Sequence, residues 1–207
     1  GFGGHRIEGI GDKHVPWIHN VKNTDVVTAI DDEDCMRILR LFNEKPGQQY
    51  LKSIGVSQET IDNLHLIGIS GIGNLLSAIK TAKYFEMESD DVIVTIATDS
   101  ADMYQSRLGE LKESRGEYND IQAVKDFEKC ILACTVDYMK ELDYYGRKAI
   151  HNLKYYTWVE QQAKDVEDLN QLWNDREIWE KQFNQIKRWD ELIQEFNERT
   201  GLLKDII

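Results

Sequence analysis

The chain has 207 residues, and 41% of them are hydrophobic, so it is long enough to bury a sizeable core. Its formal net charge of −12 argues against nucleic acid or an anionic membrane as a partner, because both need a basic face. No apolar run approaches the roughly 18 residues that span a bilayer, and the first residues lack the pattern of a signal peptide. We therefore expect a cytoplasmic protein.

The first residues, GFGGHRIEGIG, carry neither an initiating methionine nor a clear helix or strand signal. We expect the chain to be a piece of a longer protein. His5, His14 and His19 follow one another in this region, but no cysteine or carboxylate completes a recognisable ligand spacing. The sequence therefore predicts no metal site.

A strand followed by a helix is predicted next. The run at 24–30 is rich in β-branched residues, and apolar residues at helical spacing follow it in 31–44. Asp31 and Asp32 stand where side-chain oxygens cap the first turn of a helix. The acidic run 31–34 lacks the alternating pattern of a calcium loop, so we interpret it as a helix cap and not as a cation site.

Two more apolar segments, 64–69 and 90–98, predict strands, and residues 74–87 between them predict an amphipathic helix. Short strands that alternate with helices indicate a parallel sheet covered by helices, because parallel strands need a crossover connection. We therefore predict an α/β fold with a three-layer parallel sheet in this part of the chain.

Long helical patterns dominate after residue 105. We predict an all-helical extension over 106–207, preceded by an α/β domain over 1–105. Gly116, Gly146 and Gly201 are placed to end helices of the extension. Recurring aromatic residues are more typical of a helix-packing core than of a ligand site. These residues are Trp158, Trp173, Trp179, Phe183, Trp189 and Phe196.

The sequence GISGIG at 68–73 joins the second predicted strand to the helix after it. Its glycines run G-x-x-G-x-G, whereas a dinucleotide-binding turn needs G-x-G-x-x-G. A serine hydrolase turn needs G-x-S-x-G, but Ile72 stands where the second glycine is required. Two interpretations of Ser70 remain: it caps a tight turn, or it presents a hydroxyl beside backbone amides to a polar atom of a ligand.

Four segments follow one another over residues 1–105: GGHRIEGIGDKHVP, DDEDCMRILRLFNE, GISGIGNLLSAIKTAK and DDVIVTIATDSADMY. Their order and spacing resemble the C-terminal third of the fold-type II pyridoxal phosphate-dependent enzymes, the family of cysteine synthase and cystathionine β-synthase. The helical extension resembles those of bacterial cysteine synthase-like "beta subunit" proteins.

The resemblance implies pyridoxal 5′-phosphate as the cofactor. Ser70, next to Gly68, would hydrogen-bond its pyridine nitrogen, and Gly9 and Gly11 would lie in the glycine loop beside the cofactor cleft. Where cysteine synthases usually have a proline after the last strand, this chain has Thr98. The family's Schiff-base lysine and phosphate loop belong to its N-terminal part, so we predict no catalytic residue in these 207 residues.

Two functions remain open. In the first, the chain is the C-terminal fragment of a cysteine synthase-like enzyme that performs β-replacement or β-elimination on a small amino-acid substrate. Its partner would then be the missing N-terminal part of the same protein, and a homodimer would fit a family in which dimers are common. In the alternative, the chain is a non-catalytic helical interaction module with a degenerate cofactor half-site.

Overall fold

A computed structural model describes residues 4–7, 10–11, 14–201 and 203, and most of this part is helical. Its α-helices are α1 (Asp32–Asn43), α2 (Lys45–Ser53), α3 (Gln58–Asn63), α4 (Ile69–Tyr84), α5 (Gln105–Arg115), α6 (Asp120–Phe127), α7 (Tyr144–Lys154), α8 (Val166–Asn174), α9 (Arg176–Asn184) and α10 (Ile186–Thr200). Short 3-10 helices lie at Val21–Asn23, Leu64–Leu66 and Ala101–Tyr104, and π-helical turns at Glu128–Leu132 and Tyr155–Val159. The strands are β1 (Val26–Thr28) and β2 (Met139–Glu141).

The chain divides into two compact units. Unit 1 comprises residues 1–13 and 26–141, and unit 2 comprises 14–25 and 142–207. The predicted domain boundary at residue 105 falls inside unit 1. None of the helices among the residues that the structure describes is long and apolar enough to cross a membrane.

Helix α1 lies at the centre of the core of unit 1. The side chain of Asp31 accepts a hydrogen bond from the Glu33 amide at 2.9 Å, which confirms the predicted N-cap. Helices α2, α4 and α6 all pack against α1. A helix that is covered on several sides must carry apolar residues on most of its surface. The buried residues of α1 are Cys35, Met36, Ile38, Leu39, Arg40, Leu41 and Phe42.

Ion pairs join other elements of unit 1 to α1. Arg115, at the end of α5, donates to both carboxylate oxygens of Glu33 at 2.6 and 2.8 Å. Arg37 donates to Asp126 of α6 at 2.9 Å, and Asp126 also accepts from the Tyr118 hydroxyl at 3.0 Å. Asp126 is 1% exposed, so these hydrogen bonds replace the water that the carboxylate loses on burial.

The prediction of a three-layer parallel sheet is wrong, and so is the expectation of a fold-type II α/β domain that the resemblance implied. In the described part of the chain, β1 and β2 form one two-stranded antiparallel sheet in which Val27 lies opposite Lys140. The predicted strand at 24–30 is confirmed by β1, but its neighbour comes from the region that was predicted to be all helical. The other two apolar segments, 64–69 and 90–98, do not pair with a strand in this part of the chain.

The segment 64–69, predicted as a strand, is helical. It contains the 3-10 turn Leu64–Leu66 and then the first residue of α4, Ile69. Both Leu64 and Ile69 are buried in the helical core of unit 1. A short apolar run has the same appearance in a strand and in a buried helical segment, so periodicity alone could not separate the two.

The segment 90–98, also predicted as a buried strand, has no regular secondary structure and is largely exposed. The side chains of Val92, Val94 and Ile96 are 80%, 87% and 69% exposed. Among the described residues, the main chain of 92–97 makes one hydrogen bond, from the Asn74 side chain to the Ile96 carbonyl at 2.9 Å. β-Branched residues favour extended backbone, but a strand is stable only beside a neighbouring strand.

The helices predicted beyond residue 105 are largely confirmed, with β2 as an exception. Gly116 and Gly201 end α5 and α10 with φ of +79° and +66°, as predicted. Gly146 does not end a helix, since it lies in the first turn of α7 and its amide donates to the Asp143 carboxylate at 2.7 Å.

The prediction that the aromatic residues of the extension form a packing core holds for part of it. Trp173 of α8 is 6% exposed. Phe183, Trp189 and Phe196 are 61%, 49% and 58% exposed, so the prediction is wrong for α9 and α10. These two helices have no buried residue.

Two buried polar side chains of α7 lie in the core of unit 2. His151 is 3% exposed, and its Nε2–H donates to the Leu169 carbonyl at 3.0 Å. Lys154 is fully buried, and its ammonium group donates to the carbonyls of Trp17 and His19 at 2.9 and 2.6 Å. Burial lowers the pKa of Lys154 to about 8 and the pKa of His151 to about 4.

We expect unit 2 to lose stability as the pH falls from about 6.5 to about 4. The folded pKa of His151 lies below its ordinary value, so the unfolded chain takes up the proton first and protons favour unfolding across this window. The loss should reach about 3 kcal/mol at the acidic end. His151→Gln should remove this part of the pH dependence, measured by denaturant unfolding with tryptophan fluorescence.

The matched control is His65→Gln, which changes an exposed histidine of unit 1. It should keep the pH dependence of the wild-type chain. An unchanged acid slope in His151→Gln would contradict the assignment of this loss to His151.

Candidate functional site

Ser70 lies in the first turn of α4, in unit 1. Helix α4 begins after Gly68, which has extended backbone and no side chain to cap the helix. The first amides of a helix lack partners within it and form a weakly positive end. Ser70 is 8% exposed, so its side chain is buried at the start of the helix and does not lie on an open surface.

The carboxylate of Asp99 supplies the cap that Gly68 cannot provide. The main chain of the two residues is joined, because the Gly68 amide donates to the Asp99 carbonyl at 2.9 Å. The Asp99 carboxylate accepts a hydrogen bond from the Tyr104 hydroxyl at 2.5 Å, and the nearby Gly71 amide helps to lower its pKa. An acidic group at this end of a helix is favoured by the helix dipole. Sequence reasoning missed Asp99, although it directly follows Thr98.

Ser70, Thr98 and Asp99 form a chain of polar groups. The hydroxyl oxygens of Ser70 and Thr98 are 3.3 Å apart, and the Thr98 hydroxyl donates to the Asp99 carboxylate at 3.3 Å. Because the Thr98 proton points to Asp99, the Ser70 hydroxyl donates towards Thr98 and Asp99. The lone pairs of the Ser70 oxygen are therefore free to accept a hydrogen bond from a third group.

Asp99 carries the negative charge of this site. Burial raises the pKa of Asp99, but hydrogen bonds from Tyr104, Ser70, the Gly71 amide and Thr98 outweigh burial and hold the pKa below its ordinary value. The carboxyl group is therefore ionised at neutral pH. A ligand atom that contacts Ser70 is therefore connected through the Ser70 and Thr98 hydroxyls to the Asp99 carboxylate.

The structure explains why residue 68 is a glycine. A Cβ atom at Gly68 would lie 2.5 Å from the Asp99 carboxyl carbon, so the glycine makes room for Asp99 and not directly for a cofactor ring. Gly11 has φ of +78°, where glycine is favoured, and a Cβ there would lie 3.5 Å from the His5 ring. Gly9 lies outside the described residues.

The polar groups of this site fit the ring-nitrogen end of pyridoxal phosphate better than its phosphate end. The Asp99 carboxylate already occupies the start of α4, so a phosphate group there would meet a like charge. A pyridine nitrogen, and above all a protonated one, meets an acceptor oxygen and a nearby negative charge. The site is thus suited to the ring-nitrogen end of the cofactor.

Metal binding receives no support from the described residues. Among them, no group of three or more histidine, cysteine or acidic side chains is arranged to hold an ion.

Comparison with protein-family models, with curated proteins and with solved structures finds no match to this chain.

The contact between Gly68 and Asp99 can be tested by a double-mutant cycle. Gly68→Ala should destabilise unit 1 by roughly 1–3 kcal/mol, because the new methyl group displaces the carboxylate that caps α4. In an Asp99→Ala background the same change should cost less than about 1 kcal/mol, the usual difference between glycine and alanine at an N-cap. Urea unfolding of the four proteins gives both costs.

Gly109→Ala is the matched control, because a Cβ on this α5 residue would meet nothing within 4 Å. It should be neutral or slightly stabilising. If the costs of Gly68→Ala and Asp99→Ala simply add, the two residues do not interact as described.

Proposed function

We propose that the chain binds the pyridine ring of pyridoxal 5′-phosphate through Ser70, as part of an enzyme that performs β-replacement or β-elimination on an amino acid. The observation that supports this best is the series of hydrogen-bonded side chains Ser70, Thr98 and Asp99 at the start of α4. The three residues lie in segments 68–83 and 90–104, two of the segments whose sequences resemble those of cysteine synthase-like enzymes.

The residues of this chain bind and orient the ring. When bound, the cofactor withdraws electrons from the bonds at the α carbon of the amino acid. Ser70 accepts a hydrogen bond from the ring nitrogen, and Thr98 holds the Ser70 hydroxyl in the orientation that leaves its lone pairs free. Asp99 supplies a negative charge that favours the protonated ring, which a neutral serine alone would not do. Gly68 allows Asp99 to approach.

The lysine that holds the cofactor and the cradle for its phosphate are proposed to come from the N-terminal part of the same protein. The exposed apolar segment 92–96 supports a polypeptide partner, because side chains of this type gain free energy when they leave water. We propose the cytoplasm as the location of the activity.

The test uses 4′-deoxypyridoxine 5′-phosphate, a cofactor analogue without the aldehyde that would react with surface lysines. Titration followed by amide NMR should shift the signals of Gly68 to Gly71 and of Thr98 and Asp99 in a saturable way. Ser70→Ala should weaken binding about fivefold, which corresponds to the ~1 kcal/mol of one neutral hydrogen bond.

Ser77→Ala is the matched control, since it removes a hydroxyl from the same helix two turns further on. It should leave the affinity unchanged. The proposal fails if millimolar analogue shifts none of these amides, or if Ser70→Ala binds as tightly as the control.

A second candidate function is that of a non-catalytic helical interaction module. The observation that favours it is the exposed apolar surface of α9 and α10, which carries Phe183, Trp189 and Phe196. The analogue titration separates the two candidates, because a pure interaction module would bind no cofactor analogue at Ser70.

A further inference from the structure

Tyr104 contacts the Asp99 carboxylate from a turn that is packed in the core of unit 1. It is the last residue of the 3-10 turn Ala101–Tyr104. Ala101, at the start of this turn, is completely buried, and Tyr104 itself is half-buried against the core. The hydroxyl group of Tyr104 donates to the Oδ2 atom of Asp99 at 2.5 Å. Because packing holds the turn in place, this hydroxyl is a fixed donor.

The two oxygen atoms of the Asp99 carboxylate have different donors. Tyr104 donates to Oδ2, and the Thr98 hydroxyl donates to Oδ1 at 3.3 Å. The shorter bond has the length of a strong hydrogen bond to a charged oxygen, whereas the longer bond is weak. A carboxylate turns easily about the bond that joins it to Cβ. The hydrogen bond from Tyr104 therefore sets the plane of the carboxylate and directs Oδ1 towards Thr98.

The direction of the Thr98 hydroxyl proton decides whether the Ser70 oxygen is open to a ligand. Thr98 has one such proton, and two acceptors lie 3.3 Å from its oxygen: Asp99 Oδ1 and the Ser70 hydroxyl. The charged oxygen of Asp99 is the stronger acceptor as long as it faces Thr98. If the carboxylate turned away, the Thr98 proton would point to Ser70 and occupy a lone pair that the ring nitrogen needs.

We propose that Tyr104 is a positioning residue of the cofactor site. By fixing the Asp99 carboxylate, it keeps the Thr98 proton on Asp99 and leaves the Ser70 oxygen open to accept a hydrogen bond from the pyridine nitrogen. Tyr104 acts through Asp99 and Thr98, so its role requires no contact with the ring. The inference rests on the proposed function, because the ring nitrogen is the ligand of Ser70 in that proposal.

The first experiment follows the ionisation of Asp99 by carbon-13 NMR of its carboxyl group, in the chain without ligand. Tyr104→Phe removes the hydroxyl and keeps the ring that packs against the core. Loss of a donor to the ionised carboxylate should raise the pKa of Asp99. A role of Tyr104 in folding alone would leave this titration unchanged.

Tyr118→Phe is the matched control, since it removes a tyrosine hydroxyl that donates to another carboxylate of unit 1, that of Asp126, at 3.0 Å. It should leave the pKa of Asp99 unchanged, and circular dichroism verifies that both variants stay folded. An Asp99 pKa that stays the same in Tyr104→Phe, or that rises equally in Tyr118→Phe, would overturn the proposal.

The second experiment titrates the same variants with 4′-deoxypyridoxine 5′-phosphate. Tyr104→Phe should weaken binding about twofold, less than Ser70→Ala, because it disturbs the orientation of the Ser70 hydroxyl and does not remove it. Tyr118→Phe should bind as tightly as the wild-type chain. If Ser70→Ala weakens binding and Tyr104→Phe does not, Ser70 binds the ring without positioning by Tyr104 and the proposal is wrong. If the wild-type chain binds no analogue, the proposed function fails, and the role of Tyr104 towards the ring fails with it.

Discussion

Burial of helix α1 is the interaction on which the rest of unit 1 depends. Its residues Cys35, Ile38 and Leu39 are removed from water completely, and a buried side chain of the size of Ile38 or Leu39 contributes ~1.5–3 kcal/mol. Helices α2, α4 and α6 each cover part of α1, so their positions are fixed by packing against one helix. The start of α4, with Ser70, is therefore held by helix packing, whereas the edge of a parallel sheet had been expected to hold it.

Features that depend on near neighbours in the sequence could be predicted. Asp31 caps α1 as expected, because a cap needs amides that lie within three residues of it. Gly116 ends α5 for a similarly local reason. The sheet could not be predicted in this way, since β1 finds its neighbour in Met139–Glu141, far along the chain, and the segment 92–96 finds none among the described residues.

In the candidate site too, residues that are close in the sequence could be predicted, whereas a residue from a distant segment could not. Ser70 and Gly68 were found from a six-residue motif, and the structure places both at the start of α4. The contribution of Asp99 could not be found in that motif, because it depends on a chain segment that returns to the helix start after thirty residues of intervening structure. The presence of this carboxylate changes the chemistry of the site, since it gives a serine hydroxyl an anionic neighbour and makes its oxygen an acceptor.

Amide hydrogen exchange measured by NMR on this chain tests most directly the claim that a buried helix, and not a sheet, organises unit 1. We expect amides of α1, such as those of Ile38 and Leu39, to exchange most slowly, because opening them requires unfolding of the whole unit. The amides of Val92 to Ile96 should exchange at nearly the rate of an unfolded peptide, since they donate no hydrogen bond within the described chain. Slow exchange across Val92 to Ile96, at rates comparable to those of α1, would indicate a paired strand and contradict the central role of α1.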